Sequence, residues 1–187
     1  MMNKKPSASA ISPEYLLMGF INQAPTHGYD LHERIHRELG QIWHISLSQI
    51  YNILNRLEAT GYIKGEIEAQ EKSPPRQLFQ LTPLGVRRFD EWLNTPTKPS
   101  IHAIRVEFLT RLYFAHSAMP ETVSNLIGKQ ITQIQADLVR IQTIHREVAA
   151  DQVFNQLGLE LRIRQLTSVI AWLEECRARF APPHQQT

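Results

Sequence analysis

One stretch, from Ile45 to Gly61, constrains the fold of this chain more than any other. A serine hydroxyl near its start, from Ser46 or Ser48, can accept a hydrogen bond from a backbone N–H in the first turn of a helix, and Gly61 can end that helix. The apolar residues between these limits recur at helical spacing: Ile50, Ile53, Leu54 and Leu57. The stretch therefore predicts a helix with one buried face and one face left for a partner.

The opposite face of this helix carries side chains that can hydrogen-bond to DNA base edges or phosphates. They are Gln49, Asn52, Asn55 and Arg56. An ordinary amphipathic surface helix has the same pattern, so the helix alone does not identify a function. The segments on either side of it decide between the two interpretations.

These flanking segments predict a winged helix-turn-helix domain. Two helices are expected before the stretch, at about 13–23 and at 29–39, and each begins or ends at a proline or glycine. Two alternating runs follow it, 62–68 and 76–81, which predict a β-hairpin, and a further helix is expected at 84–93. In this fold the third helix enters a DNA major groove and the hairpin, or wing, reaches the flanking backbone.

The second half of the chain is predicted to be entirely helical, which makes the protein mainly α within an α+β class. A proline-rich linker at 96–101 separates the winged domain, 12–95, from a helical domain at 102–181, and mobile tails are expected at 1–11 and 182–187. Apolar residues in the helical domain repeat at spacings of four and three, which predicts a coiled-coil seam. The predicted dimerisation residues are Ile127, Ile131, Ile134, Leu138, Ile141, Leu159, Ile163, Leu166, Ile170 and Leu173.

These apolar surfaces exceed what one antiparallel helix covers, so we predict that a second copy of the chain packs on them in a homodimer. A twofold dimer would place two groove-entering helices about 34 to 36 Å apart and would demand a near-palindromic site. A helical domain that packs only within its own chain, or that binds another protein, is the alternative.

Composition excludes several function classes. The chain has no run of about 18 apolar residues and no signal-like start, and its single cysteine, Cys176, fits a reduced cytoplasm. It lacks a glycine-rich phosphate loop, a CxxC pair and a nucleophile elbow, so we expect neither an enzyme nor a cofactor. His32 and His36 lie four residues apart, but no further ligands accompany them, so no metal site is expected.

The first half also resembles the PadR family of transcriptional regulators. The matching words fall in the family's order over about residues 14 to 94: Leu16-Leu17-Met18-Gly19, Pro25 with His27-Gly28-Tyr29, Leu39-Gly40 with Trp43, Ser48-Gln49-Ile50-Tyr51, Leu54-Asn55-Arg56-Leu57-Glu58, Gly61-Tyr62-Ile63, Pro74-Pro75-Arg76 and Leu81-Thr82. The resemblance implies a dimeric bacterial repressor or activator whose third helix and wing hold operator DNA. The long C-terminal helices and Arg105-Val106-Glu107-Phe108 resemble, more loosely, the subfamily that contains the virulence activator AphA.

Three residues depart from the family's pattern. Asn52 stands where many members have proline, Gln77 replaces a frequent basic residue, and Phe79 replaces a frequent tyrosine. The missing wing cation predicts a weaker grip on phosphate, whereas Asn52 adds a candidate base reader.

The predicted DNA face is formed by Ser46, Ser48, Gln49, Tyr51, Asn52, Asn55 and Arg56, with Lys72, Ser73 and Arg76 on the wing. Gln49 and Asn52 are assigned to bases, because a carboxamide can bond adenine bidentately. Ser48, Tyr51 and Arg56 are assigned to phosphates, although Tyr51 fits the core equally well. The predicted function is therefore a repressor that binds double-stranded operator DNA as a homodimer.

Two questions about partners stay open in the sequence. The family's members often sense small aromatic compounds, and four aromatic residues are either the lining of such a pocket or plain core: Trp43, Trp92, Tyr113 and Trp172. The residues up to Thr95 hold ten basic and ten acidic side chains, and this balance favours a rival function, a winged helix that contacts only proteins.

Overall fold

A computed structural model of the chain describes residues 12–68 and 76–181, which form two units that meet between Thr95 and Pro96. The predicted tails and the wing residues Lys72 and Ser73 lie outside the described residues. The described residues are mostly helical, with one small antiparallel sheet, so the predicted fold class is confirmed. None of the helices described is long and apolar enough to cross a membrane.

The first unit is a winged helix-turn-helix. Its elements are α1 (Pro13–Gln23), β1 (Thr26–His27), α2 (Gly28–Leu39), α3 (Leu47–Ala59), β2 (Ile63–Glu68), β3 (Arg76–Leu81) and α4 (Pro83–Asn94). Helices α1 and α4 begin in the same way, with a hydroxyl cap followed by proline. Ser12 Oγ accepts from the Glu14 N–H at 3.3 Å, and Thr82 Oγ1 accepts from the Gly85 N–H at 3.1 Å. Proline suits this position because its missing N–H has no helical partner there.

The sheet has three strands, in the order β1-β3-β2, where the sequence predicted two. The hairpin pairs Ile63 with Leu81 and Glu68 with Arg76, within the predicted runs. The additional strand, β1, pairs Thr26 with Phe79 on the far side of β3. Two residues are too few to show alternation, and the adjacent proline and glycine indicated only a break between helices.

The core of the first unit fixes the orientation of α3. Helix α1 buries Leu16, Leu17 and Phe20 completely, and the ring of Tyr15 stacks on Trp92 of α4 with centroids 4.8 Å apart. Helix α4 also lies very close to the hairpin, since a Cβ added at Gly85 would lie 2.0 Å from the Tyr62 carbonyl oxygen. Because that neighbour is backbone, only glycine fits there, and the wing is held rigidly beside the helices.

The second unit contains a bent helix and a helical hairpin. Its elements are α5 (Ile101–Ala103), a π-helical turn (Ile104–Phe108), α6 (Leu109–Ala118), a 3-10 turn (Pro120–Thr122), α7 (Val123–Glu147) and α8 (Val153–Arg179). The segment predicted as a linker is attached to this unit at Thr97. The Thr97 N–H donates to Gln130 Oε1, and Gln130 Nε2 donates to the Thr97 carbonyl oxygen, both at 2.9 Å.

Helices α7 and α8 pack against each other in antiparallel fashion along the predicted coiled-coil seam. Six of the ten predicted dimerisation residues are buried inside the single chain: Ile127, Ile131, Ile134, Ile141, Leu166 and Leu173. Their burial leaves little of their surface for a second copy. A heptad pattern shows that a helix has a partner, but it does not say whether that partner is in the same chain. The other four, Leu138, Leu159, Ile163 and Ile170, are half-buried.

Candidate nucleic-acid interface

Helix α3 begins with a capping box. Ser46 Oγ accepts from the Gln49 N–H at 3.3 Å, and Gln49 Oε1 accepts in return from the Ser46 N–H at 2.9 Å. The cap is therefore Ser46, and Ser48 lies beside it with the two hydroxyl oxygens 3.0 Å apart. Two backbone donors at the start of the helix are satisfied by these side chains, which stabilises the end of α3.

The other end of α3 is closed by Gly61, as the sequence predicted. Gly61 has a φ of 74°, in the left-handed region that favours glycine. Its N–H donates to the Glu58 carbonyl and the Tyr62 N–H donates to the Leu57 carbonyl, both at 2.9 Å. These two bonds form a Schellman motif, which turns the chain directly from α3 into the wing.

Between these caps, one side of α3 is buried and the other is exposed. Ile50, Leu54 and Leu57 are at most 1% exposed. The predicted DNA-facing residues of the helix all lie on its exposed side: Ser46, Ser48, Gln49, Tyr51, Asn52, Asn55 and Arg56. The sequence pattern thus identified a continuous polar surface on α3.

The two carboxamides on this surface differ in which of their atoms are free. Gln49 Oε1 is engaged by the capping box, so that only its amide nitrogen is left for a base. Bidentate bonding to adenine needs both atoms, and Gln49 would have to break its cap to make it. The side chain of Asn52 makes no hydrogen bond to any residue that the structure describes, so both of its polar atoms are free. Asn52 is therefore the better candidate for reading adenine.

Tyr51 is 43% exposed, but its ring rests on the start of α2. A Cβ added at Gly28 would lie 2.8 Å from Tyr51 Cε1 and 3.2 Å from a methyl group of Leu54. The ring therefore contributes to packing and to the surface at once, which is why the sequence fitted both roles. A larger residue in place of the glycine of the His-Gly-Tyr word would have to displace the Tyr51 ring.

Arg56 has a partner that the sequence did not reveal. Its Nε donates to Glu14 Oε1 at 2.7 Å, although the two residues are 42 positions apart. The second oxygen of Glu14 lies 3.7 Å from Arg88 Nη2 of α4. One carboxylate from the first turn of α1 therefore faces two guanidinium groups.

The wing is braced against α3 by Glu58. Its Oε1 accepts from the Gly65 N–H at 2.9 Å and from Gln77 Nε2 at 3.1 Å. The side chain of Gln77 is therefore engaged by Glu58 of α3, and the weaker grip on phosphate expected from the missing cation stays a prediction. Arg76 is exposed at the start of β3 and is the described wing residue that stays a candidate for phosphate.

The imidazole of His27 in β1 contacts both strands of the wing hairpin. His27 Nδ1 lies 3.1 Å from the carbonyl oxygen of Gln77, and its Nε2 lies 3.4 Å from a carboxylate oxygen of Glu68. Glu66 is also engaged, since it accepts from Lys64 Nζ at 2.6 Å. Two wing carboxylates that would repel phosphate, those of Glu66 and Glu68, therefore have partners within the unit. The partner of Glu68 is a residue of β1, where the sequence indicated only a break between helices.

The four aromatic residues considered as a ligand pocket have different environments. Trp92 is 2% exposed between Tyr15 and Phe89, so it is a core residue and its assignment to a pocket is corrected. Trp43 is half-buried and lines an open depression of about 410 Å³ beside α3. Tyr113 and Trp172, in the second unit, are half-buried.

The described residues offer little for catalysis or metal binding. Among them, no group of three or more histidine, cysteine, aspartate or glutamate side chains is placed to hold a metal ion. Burial raises the pKa of the Cys176 thiol, and the nearby Arg179 offsets this only in part. A thiol with a raised pKa is a poor nucleophile.

Comparisons with known proteins agree with this geometry. Residues 17–91 match the model of the transcriptional regulator PadR-like family, and residues 104–181 match the virulence activator alpha C-terminal model. The negative transcriptional regulator PadR of Bacillus subtilis is 25% identical over 174 residues, which cover 88% of this chain and 95% of that protein. A probable transcriptional regulator of Mycobacterium tuberculosis is 25% identical over 88 residues, 47% of this chain and 46% of that one.

A solved structure, Bacillus subtilis PadR in complex with operator DNA, has 24% sequence identity to this chain and a TM-score of 0.45. The match covers 90% of this chain and 98% of that one.

Proposed function

We propose that the chain, which has a PadR-like family domain and a virulence activator alpha C-terminal domain, is a repressor that binds double-stranded operator DNA as a homodimer. The observation that carries the proposal is the outer face of α3. Seven residues of the helix and its cap present hydroxyl, carboxamide, phenol and guanidinium groups to solvent, on a helix capped at both ends and braced to the wing. Such a face supplies both base readers and phosphate contacts.

The second copy of the chain has a surface to pack on. Four apolar residues at the start of α8 are more than half exposed: Val153 at 52%, Phe154 at 89%, Leu157 at 53% and Leu161 at 58%. Phe154, Leu157 and Leu161 follow the spacing of a coiled-coil seam and lie on one side of the helix. We call these four residues the α8 stripe. We assign the dimer interface to the α8 stripe, in place of the predicted residues that are buried within the single chain.

Binding measured across a salt series tests the proposal. The probes are a fluorescein-labelled duplex selected from random sequence by the purified protein, and a scrambled duplex of equal length. We expect tight binding to the selected duplex that weakens about a thousandfold between about 50 and about 200 mM salt, as for a dimer that neutralises roughly six phosphates. Equal affinity for the two duplexes would show that the protein prefers no operator, and binding to neither would support the rival function, a winged helix that contacts only proteins.

Asn52→Ala is expected to relax sequence preference at one position of each half-site. The loss is about tenfold on the selected duplex, because one bidentate contact to a base is removed, and much smaller on the scrambled one. Competition with a set of single-base variants of the duplex measures this. Gln49→Ala is the contrasting variant. It removes half of the capping box, so it lowers the melting temperature and weakens binding to both duplexes.

The remaining parts of the proposal follow from the same premise. A DNA-bound regulator acts in the cytoplasm and performs no chemistry on its partner. A small aromatic effector is proposed, with Tyr113 and Trp172 as candidate contacts in the second unit and Trp43 as a separate candidate in the first, since each of them keeps an exposed part for a ligand to cover.

A further inference from the structure

Glu14 lies between two arginines that differ in how firmly they are held. The side chain of Arg56 is 56% exposed, whereas those of Glu14 and Arg88 are each 18% exposed. Arg56 Nε is the nearest cationic donor to the carboxylate, at 2.7 Å. Among the residues described, the Arg56 side chain has no other hydrogen bond or ion pair. The Glu14 carboxylate therefore binds the Arg56 guanidinium, the group that would otherwise be available to a DNA phosphate.

Arg88 is fixed independently of Glu14. Its Nη1 donates to the Tyr62 hydroxyl at 3.0 Å, and its guanidinium lies 4.4 Å from the ring centre of Tyr62 and 5.4 Å from that of Tyr15. Contacts with aromatic faces and a hydroxyl hold an arginine even when one of its ion pairs changes. Arg88 can thus remain beside Glu14 whatever Arg56 does.

Arg56 is able to move away at small expense in free energy. Exposed ion pairs are weak because water and salt screen them and because long side chains lose freedom on pairing. If Arg56 turned to a DNA phosphate, the Glu14 carboxylate would not be left as an uncompensated charge, since Arg88 Nη2 lies 3.7 Å away. A DNA phosphate and Glu14 are therefore competitors for the same guanidinium.

We propose that Glu14 is a built-in counter-ion of Arg56 that DNA phosphate displaces, with Arg88 retaining Glu14 after the exchange. The proposal rests on the DNA-binding function proposed above and adds a residue of α1 that lowers affinity for any duplex. By holding Arg56 in a neutral pair, Glu14 keeps the otherwise charge-balanced first unit from binding non-operator DNA, and so it sets the specificity of the protein.

A double-mutant cycle with Glu14→Gln and Arg56→Ala tests the exchange in the full-length protein. Glutamine keeps the length and an acceptor oxygen but removes the charge. The probes are a labelled random-sequence duplex and the selected duplex, each at about 50 mM salt. We expect Glu14→Gln to strengthen binding to the random duplex roughly threefold in the wild-type background, and to change it by less than about 1.5-fold in the Arg56→Ala background.

Glu33→Gln is the matched control, because Glu33 is an exposed acid of α2 in the same unit. It gives the effect of removing one negative charge without touching Arg56. An equal gain from Glu14→Gln in both backgrounds would show a bulk charge effect and would overturn the proposal. A loss of affinity would overturn it as well, since it would mean that Glu14 orients Arg56 for DNA and does not compete with DNA.

A second measurement does not depend on the variants folding. In the wild-type protein labelled with ¹⁵N, the Arg56 Nε–Hε resonance should shift when the random duplex is added, and that of Arg88 should stay in place. An unmoved Arg56 resonance with DNA bound refutes the exchange but leaves the proposed function intact. If the protein binds no duplex at all, both proposals are wrong.

Discussion

The variant Leu157→Glu/Leu161→Glu should be a folded monomer that binds the selected duplex at least about a hundredfold more weakly than the wild-type protein. Both leucines are more than half exposed in the single chain, so the substitutions place charge at positions that contribute little to packing within that chain. In a dimer the same positions would be buried, and four carboxylates would have to enter an apolar interface. The dimer should therefore dissociate while each chain keeps its fold.

The loss of DNA affinity follows from the loss of linkage between two half-sites. When two recognition helices are joined, the second binds at a high effective concentration, which is worth about a hundredfold to ten-thousandfold. A monomer loses that gain on a near-palindromic duplex but not on a single half-site. Sedimentation velocity gives the oligomeric state, and fluorescence anisotropy gives the two affinities.

Thr132→Glu/Thr167→Glu is the control for the added charge. Both threonines are exposed in the helical unit, and their hydroxyls bond only to their own helices, at Gly128 and Ile163. This variant should remain dimeric and should lose much less affinity. A dimeric Leu157→Glu/Leu161→Glu protein would show that the α8 stripe is not the interface.

The sequence predicted the helices and the hairpin of the first unit well, because their signals are local. A hydroxyl followed by proline begins α1 and α4, and Gly61 ends α3 with a positive φ. The alternating runs of β2 and β3 pair with each other as expected. The resemblance to the family was also confirmed, and one of its words marks a close contact, since a Cβ added at Gly28 would lie 2.8 Å from the Tyr51 ring.

What the sequence missed depends on contacts between residues far apart in the chain. Nothing near Arg56 indicates that Glu14 accepts its hydrogen bond, and nothing near Gln77 indicates Glu58. Periodicity likewise predicted a seam on α7 and α8 without showing that the two helices would use it on each other. The exposed face of α3 was predictable because burial on one side of a helix determines the other side. Which polar atoms on that face are left without a hydrogen-bond partner among the described residues could not be predicted.

The same limit applies to an ion pair buried in the second unit, between Glu107 and Arg111. Their side chains are 2% and 1% exposed, and they lie one helical turn apart where the π-helical turn runs into α6. The sequence shows only two charged residues at a spacing common on solvated helices. In the structure both side chains are buried, and Phe108 between them in the sequence is fully buried as well.

We expect Glu107→Ala to lower the free energy of unfolding by about 3 to 5 kcal/mol, because it removes a buried carboxylate that pairs with the buried Arg111 guanidinium. The double variant Glu107→Leu/Arg111→Met should recover most of this loss, since burying two charges is itself expensive and apolar side chains of similar size avoid it. Urea unfolding of the full chain, followed by circular dichroism, measures both.

Glu174→Ala is the control, because it removes an exposed pair with Arg177 and should change stability by at most about 1 kcal/mol. If Glu107→Ala were as mild as this control, the Arg111 charge would have to reach water in the protein, contrary to its burial.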